Sequence, residues 1–167
     1  VAAALAAAPI MSSAAEVLGR VVGVLDGDTV DLMTADKQQV RVRLSGIDAP
    51  EKAQPFSQVA KRALSDLVFD RDVSVIGTKT DRYGRFVGKI LVAGTDANLR
   101  LVAAGLAWHF KRYEHEQPPA DRVTYARAES EARSKTLGLW RESSPVAPWD
   151  YRSAVRSREA RDLASDL

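Results

Sequence analysis

The sequence predicts an α+β domain dominated by a small closed β-barrel. Three observations carry that reading. Residues 17–44 divide into three β-type runs separated by polar turns. From Phe56 the apolar period changes to that of a helix, and at Asp72 it returns to strand. After a fifth extended run, from Phe86, the remaining patterned sequence is helical.

Taken in order, residues 17–25 form the first strand, with Gly19 and Gly23 as bulge or close-packing points. Residues 29–33 and 39–44 complete a three-stranded antiparallel meander, the last alternating polar and apolar side chains. Val59, Ala60, Ala63, Leu64, Leu67 and Val68 fall on one helical stripe, so a helix lies across the meander. Residues 72–76 and 86–92 supply the fourth and fifth strands. Asp96 or Thr95 caps a second helix carrying Leu99, Val102 and Ala103 and ended by Gly105. A third helix, from about Asp121 to Lys135, places Val123, Ala126, Ala128 and Ala132 partly inward, with Gly138-Leu139-Trp140 as its closing contact. Five short strands interrupted by a helix and followed by two more match a five-stranded barrel of the oligonucleotide-binding (OB) type.

The chain of 167 residues suffices for one domain with its own core. Residues 1–16 are alanine-rich and apolar, too short to span a bilayer, and read as the remnant of a secretory signal cleaved near Ala15. That assigns the mature protein to a secreted or periplasmic location, with no membrane attachment. Residues 17–141 form the barrel domain. Residues 142–167, broken by Pro145 and Pro148 and then charged and apolar-poor, form a peripheral C-terminal extension. Cysteine is absent, which excludes disulfides, zinc-thiolate sites and thiol nucleophiles. The net charge of +2 biases only weakly toward a polyanionic partner.

Chemistry concentrates between Asp26-Gly27-Asp28-Thr29 and Arg41-Val42-Arg43 through Asp48-Ala49-Pro50-Glu51. Carboxylates at neighbouring strand ends, with backbone carbonyls and water, can hold a hard cation. Arg43 adds the planar donor geometry that suits a phosphate. A cation, a phosphate clamp and a spare carboxylate point to phosphodiester chemistry. Each motif alone has a plainer explanation: Asp-Gly-Asp is a common turn, and Asp48 through Glu51 could be a helix capping box. Their conjunction on paired strands favours a site. Arg41 reads as a surface residue, and His109 and His115 as structural or exposed.

These blocks, with Asp81-Arg82-Tyr83-Gly84-Arg85, Asn98-Leu99 and Gly105-Leu106-Ala107 following in order, resemble the staphylococcal (thermonuclease) nuclease family over about residues 21–140. The resemblance implies a five-stranded barrel with three helices and a calcium-dependent nuclease acting on DNA and RNA. It implies that Asp28, Asp48 and the Ala49 carbonyl bind calcium, with Asp26 a nearby acid outside the ion's direct ligands. Arg43 and Arg85 would grip the scissile phosphate and Glu51 would act as general base on the attacking water or orient it. Tyr83 and Tyr113 would contact the nucleotide. The implied products are 3′-phosphate and 5′-hydroxyl ends, made with low sequence specificity, and the protein is expected to act as a monomer.

Two departures stand out. Lys111 occupies a position where the family's best-known member has a tyrosine, leaving Trp108, Phe110 and Tyr113 as alternative stacking rings. The extension after Trp140, including Pro148-Trp149-Asp150-Tyr151-Arg152, is absent from the short secreted members. A reading of another class is a non-catalytic barrel that binds nucleic acid or protein, which the presence of Asp28, Asp48, Glu51, Arg43 and Arg85 argues against.

Overall fold

The computed structural model describes residues 14–165. Three strands, β1 (Ala15–Val24), β2 (Thr29–Met33) and β3 (Gln39–Leu44), form the antiparallel meander. A short β4 (Ile47–Asp48) follows, then helix α1 (Ser57–Val68) and strands β5 (Asp72–Thr80), β6 (Phe86–Val92) and β7 (Thr95–Asp96). Helix α2 (Ala97–Ala103), β8 (Trp108–His109), α3 (Pro119–Ser134) and α4 (Pro148–Ser165) complete the order. Short 3-10 stretches at Lys111–Glu116 and Gly138–Arg141 flank α3.

The barrel closes because β1 pairs with both β2 and β5, while β3 pairs in parallel with β6. That gives a closed, mixed circuit β1-β2-β3-β6-β5. Closure removes the free edges that a five-stranded sheet would otherwise expose. Inward side chains Val21, Val30, Leu32, Val42, Val75 and Ile90 are fully or almost fully buried. Ala60, Leu64 and Val68 of α1 and Leu101 and Val102 of α2 join the same core. Val59, expected on the apolar stripe of α1, is instead 43% exposed.

Asp48 and Glu51 do not cap α1. The helix begins at Ser57 after Phe56 in the left-handed region, and Asp48 lies in β4 paired with Trp108. Asp96 does cap α2, accepting the Leu99 amide at 2.9 Å. Its carboxylate also accepts the Tyr125 hydroxyl at 2.8 and 3.0 Å, which ties α3 to the α2 cap.

Two expectations about the later helices are corrected. In α3, Val123 is 70% exposed, while Tyr125 and Glu129 are buried. Polar partners decide this: Tyr125 meets Asp96, and Glu129 accepts the His109 amide and pairs with Lys111 at 2.9 Å. The extension is not wholly peripheral either. A second small core of Trp108, Ala132, Leu139, Trp140 and Ala147, with Phe56 and Trp149 packed against it, carries the folded unit past residue 141 into α4.

Residues 1–13 of the expected signal remnant lie outside the described residues, and β1 already pairs with β5 at Ala15. Among the described residues, no helix is long and apolar enough to cross a membrane.

Tyr125→Phe removes the hydroxyl from a buried, charge-assisted bond and should cost about 1–2 kcal/mol in urea denaturation. An unchanged midpoint would show that Asp96 needs no partner from α3.

Candidate active site

Two polar centres line one cleft. The first forms where β2 begins, β3 ends and β4 crosses. Asp26 Oδ1 accepts the Asp28 amide at 3.0 Å, so the Asp-Gly-Asp segment folds back on itself and turns Asp28 inward. Asp28 is buried; its Oδ2 accepts the Ala49 amide at 2.7 Å and its Oδ1 the Thr29 hydroxyl at 3.2 Å. Arg43 Nη2 lies 3.2 Å from Asp28 Oδ2 and 2.9 Å from Asp48 Oδ1. Its Nη1 donates to the carbonyls of Leu44 at 2.6 Å and Ile47 at 3.0 Å. Arg43 therefore holds the β3–β4 turn around itself and brings two buried aspartates to one guanidinium. Asp48 is only 1% exposed and Glu51 is half-buried beside the same opening.

The second centre is the β5–β6 hairpin. Asp81 Oδ1 accepts the amides of Tyr83 at 2.9 Å and Arg85 at 3.0 Å, and its Oδ2 takes Arg85 Nε at 2.8 Å. Gly84, at φ +78°, supplies the left-handed step the turn requires. Burial pushes the Asp81 carboxyl up, but the two amides and the guanidinium of Arg85 outweigh it and hold the carboxyl below its ordinary value. Arg85 lies 5.5 Å from the Tyr83 ring centroid, and that ring is 68% exposed at the cleft edge. The parallel register, with Arg43 opposite Val87, brings this hairpin beside the first centre.

The expected residues thus assemble as follows. Asp28, Asp48, Ala49 and Arg43 are in mutual contact, and Glu51, Arg85, Tyr83, Tyr113 and Asp26 line the same cleft. Tyr113 is 44% exposed and packs edge-on against Phe110 at 5.0 Å. Trp108 offers no stacking face, being buried in the second core. Lys111 is taken up by buried Glu129. Arg41 pairs with Asp31 on the surface, and His109 is buried on Gln117 at 2.8 Å, both away from the carboxylates.

One site residue escaped the sequence reading. Arg152 of α4 donates to Glu51 Oε1 at 2.6 Å and to Asp48 Oδ2 at 2.8 Å and Oδ1 at 3.3 Å. The only sequence signal is its spacing, one helical turn after Trp149 and Pro148 in an otherwise charged tail.

Among the described residues, no three acidic or histidine side chains converge as a ready-made ion cage. Asp28 and Asp48 face each other across a single Arg43 nitrogen, beside the Ala49 backbone, and Arg152 covers Asp48 from the other side; the groups here that could ligate an ion are carboxylate and carbonyl oxygens. Such a set fits a hard cation that completes its shell with carbonyls and water.

Comparison with known proteins agrees with this architecture. A family profile described as "Staphylococcal nuclease homologue" matches residues 41–142. The chain is 41% identical over 167 residues to "Protein ParB" of Escherichia coli, covering 94% of this chain and 92% of that protein. It is 38% identical over 152 residues to "Micrococcal nuclease" of Shigella flexneri, covering 86% and 84%. An "Uncharacterized endonuclease" of Haemophilus influenzae is 36% identical over 143 residues, covering 86% and 77%. The matched span holds Arg43, Asp48, Glu51 and Arg85 on the closed barrel described above, and the chain belongs to the staphylococcal nuclease homologue family.

Proposed function

We propose that this protein is a calcium-dependent nuclease that hydrolyses DNA and RNA with low sequence specificity, leaving 3′-phosphate and 5′-hydroxyl ends. The observation that carries this reading is the convergence of Asp28, Asp48 and Arg43, with Glu51 at the same opening and Arg85 on the adjoining hairpin. Membership in the family and the names of the relatives support it.

Asp28, Asp48 and the Ala49 carbonyl would hold the ion. When bound, calcium supplies positive charge at the scissile phosphate and acidifies water. Glu51 accepts a proton from the attacking water, whose oxygen joins phosphorus as the bond to the 5′ oxygen breaks; that oxygen takes a proton from solvent water to become the 5′-hydroxyl, and Glu51 returns its proton to solvent. Arg43 and Arg85 place guanidinium donors on the equatorial oxygens, where charge accumulates in the transition state. Tyr83 and Tyr113, both exposed on the cleft, offer rings to a base or sugar. Contacts to phosphate and stacked rings carry no base sequence information, which accounts for the low specificity. A monomer completes the proposal, together with action outside the cytoplasm, secreted or periplasmic, which rests on the alanine-rich apolar residues 1–16.

The reading is tested by incubating wild type and Glu51→Ala with single-stranded DNA and RNA, with calcium and with chelator, and identifying the product termini. Calcium-dependent cleavage to 3′-phosphates that collapses in the variant is expected. Binding without cleavage would leave a nucleic-acid-binding barrel instead. Arg43→Ala and Arg85→Ala should each lower kcat/KM by about 100-fold or more; near-normal rates would remove the phosphate-gripping role.

Asp81 is expected to order the hairpin that presents Arg85. Its folded-state carboxyl is held low, so its contribution is complete above the ordinary aspartate range and is lost as pH falls through the depressed value. Asp81→Ala should speed amide exchange at Tyr83 and Arg85 at neutral pH, and the difference from wild type should vanish at strongly acid pH. Equal exchange at neutral pH would show that the turn is ordered without the carboxylate.

A further inference from the structure

The contact between α4 and the barrel is built, not incidental. Gln54 Nε2 donates to the Val146 carbonyl at 2.8 Å, and Ala147 and Pro148 are buried. The Trp149 ring stacks on Phe110 with centroids 5.2 Å apart and planes at 11°, and meets Trp108 edge-on at 5.6 Å. Residues three apart on a helix share a face, so an anchored Trp149 aims Arg152 into the cleft. There one guanidinium spans Glu51 Oε1 and both oxygens of Asp48.

Charge explains why a cation belongs there. Asp28, Asp48 and Glu51 bring three carboxylates to a partly desolvated opening, and Arg43 answers only Asp28 and Asp48. A buried carboxylate without a partner is costly. Arg43 holds Asp48 Oδ1, whereas the outer oxygen, Oδ2, is met by Arg152. The groups Arg152 covers are the acid proposed above to bind the ion and the acid proposed to accept the water's proton. Beyond it, residues 156–165 of α4 are all exposed, so nothing further along the helix locks it down.

We propose that Arg152 is a working residue of this site, a tethered guanidinium that neutralises Asp48 and Glu51 until a divalent cation displaces it. The extension and the cation thus compete for Asp48. The inference rests on the calcium reading above and adds to it a competitor supplied by the protein itself. Because coupling between two bound groups is reciprocal, docking of Arg152 weakens the ion, and the ion loosens the helix to the same degree.

The test uses the full chain without nucleic acid. Calcium binding is measured by titration calorimetry for wild type, Arg152→Gln and Arg152→Lys, and amide exchange over residues 152–156 is followed with and without calcium. Arg152→Gln should bind calcium about fivefold tighter or more, with Arg152→Lys in between, because an ammonium keeps the charge but loses the fork. In wild type, calcium should speed exchange in this segment; in Arg152→Gln it should have no effect.

Wild type that binds calcium while Arg152→Gln binds it no tighter would overturn the competition and leave the calcium reading intact. Weaker calcium binding in the variant would equally overturn it, making Arg152 a support of the ion site. Exchange in wild type unaffected by calcium would show that the ion and the guanidinium bind side by side. If neither protein binds calcium, the calcium reading itself fails, and the competition with it.

Discussion

The guanidinium of Arg43 is the constraint on which the site depends. It bonds two backbone carbonyls that face it from either side of the β3–β4 turn and two aspartates from different strand ends. Removing one member of such a buried set strands the others, since each charge is tolerable indoors only while its partners remain. The turn it organises passes through Gly46 at φ +72°, and the Gln117 amide lies where a Cβ would stand. Gln117 in turn holds His109 on β8, the strand that pairs with β4. The position of Asp48 is thereby fixed from the barrel side by Arg43 and from the helical side by the β4–β8 pair.

Charge in the cleft is arranged before any substrate arrives. Arg43 rests on Asp28 and Asp48, Arg85 on Asp81, and Arg152 on Asp48 and Glu51. Each guanidinium is aimed by a carboxylate, so its orientation is largely set during folding. The arginines also come from separate parts of the chain: a strand end, a hairpin and a terminal helix.

The five barrel strands and the first two helices were legible in the sequence because their signals are local, whereas the residues lining the cleft were named largely through the family resemblance. Alternation marked β3 and the cap marked α2. What was hidden depends on partners far along the chain. The parallel joining of β3 to β6 leaves no mark in either strand's pattern, although the barrel type was inferred from element order. The inward face of α3 could not be read from its apolar residues, because Tyr125 and Glu129 are buried on hydrogen bonds and ion pairs while Val123 is left outside. Arg152 was hidden for the same reason. A charged, apolar-poor tail has no amphipathic stripe, and one tryptophan stacked on Phe110 is enough to seat it.

Helix α4 also divides within itself. Its first turn joins the second core through Trp149, with Pro148 buried beside it, whereas every residue from Arg156 to Ser165 is exposed. A helix gains most of its stability from the face it packs, and an unpacked stretch of about ten residues is marginal in water. One continuous helix therefore spans two regimes, a root held by the domain and a tip held by little besides its own backbone hydrogen bonds. The boundary between them falls within a turn of the arginine that reaches the carboxylates.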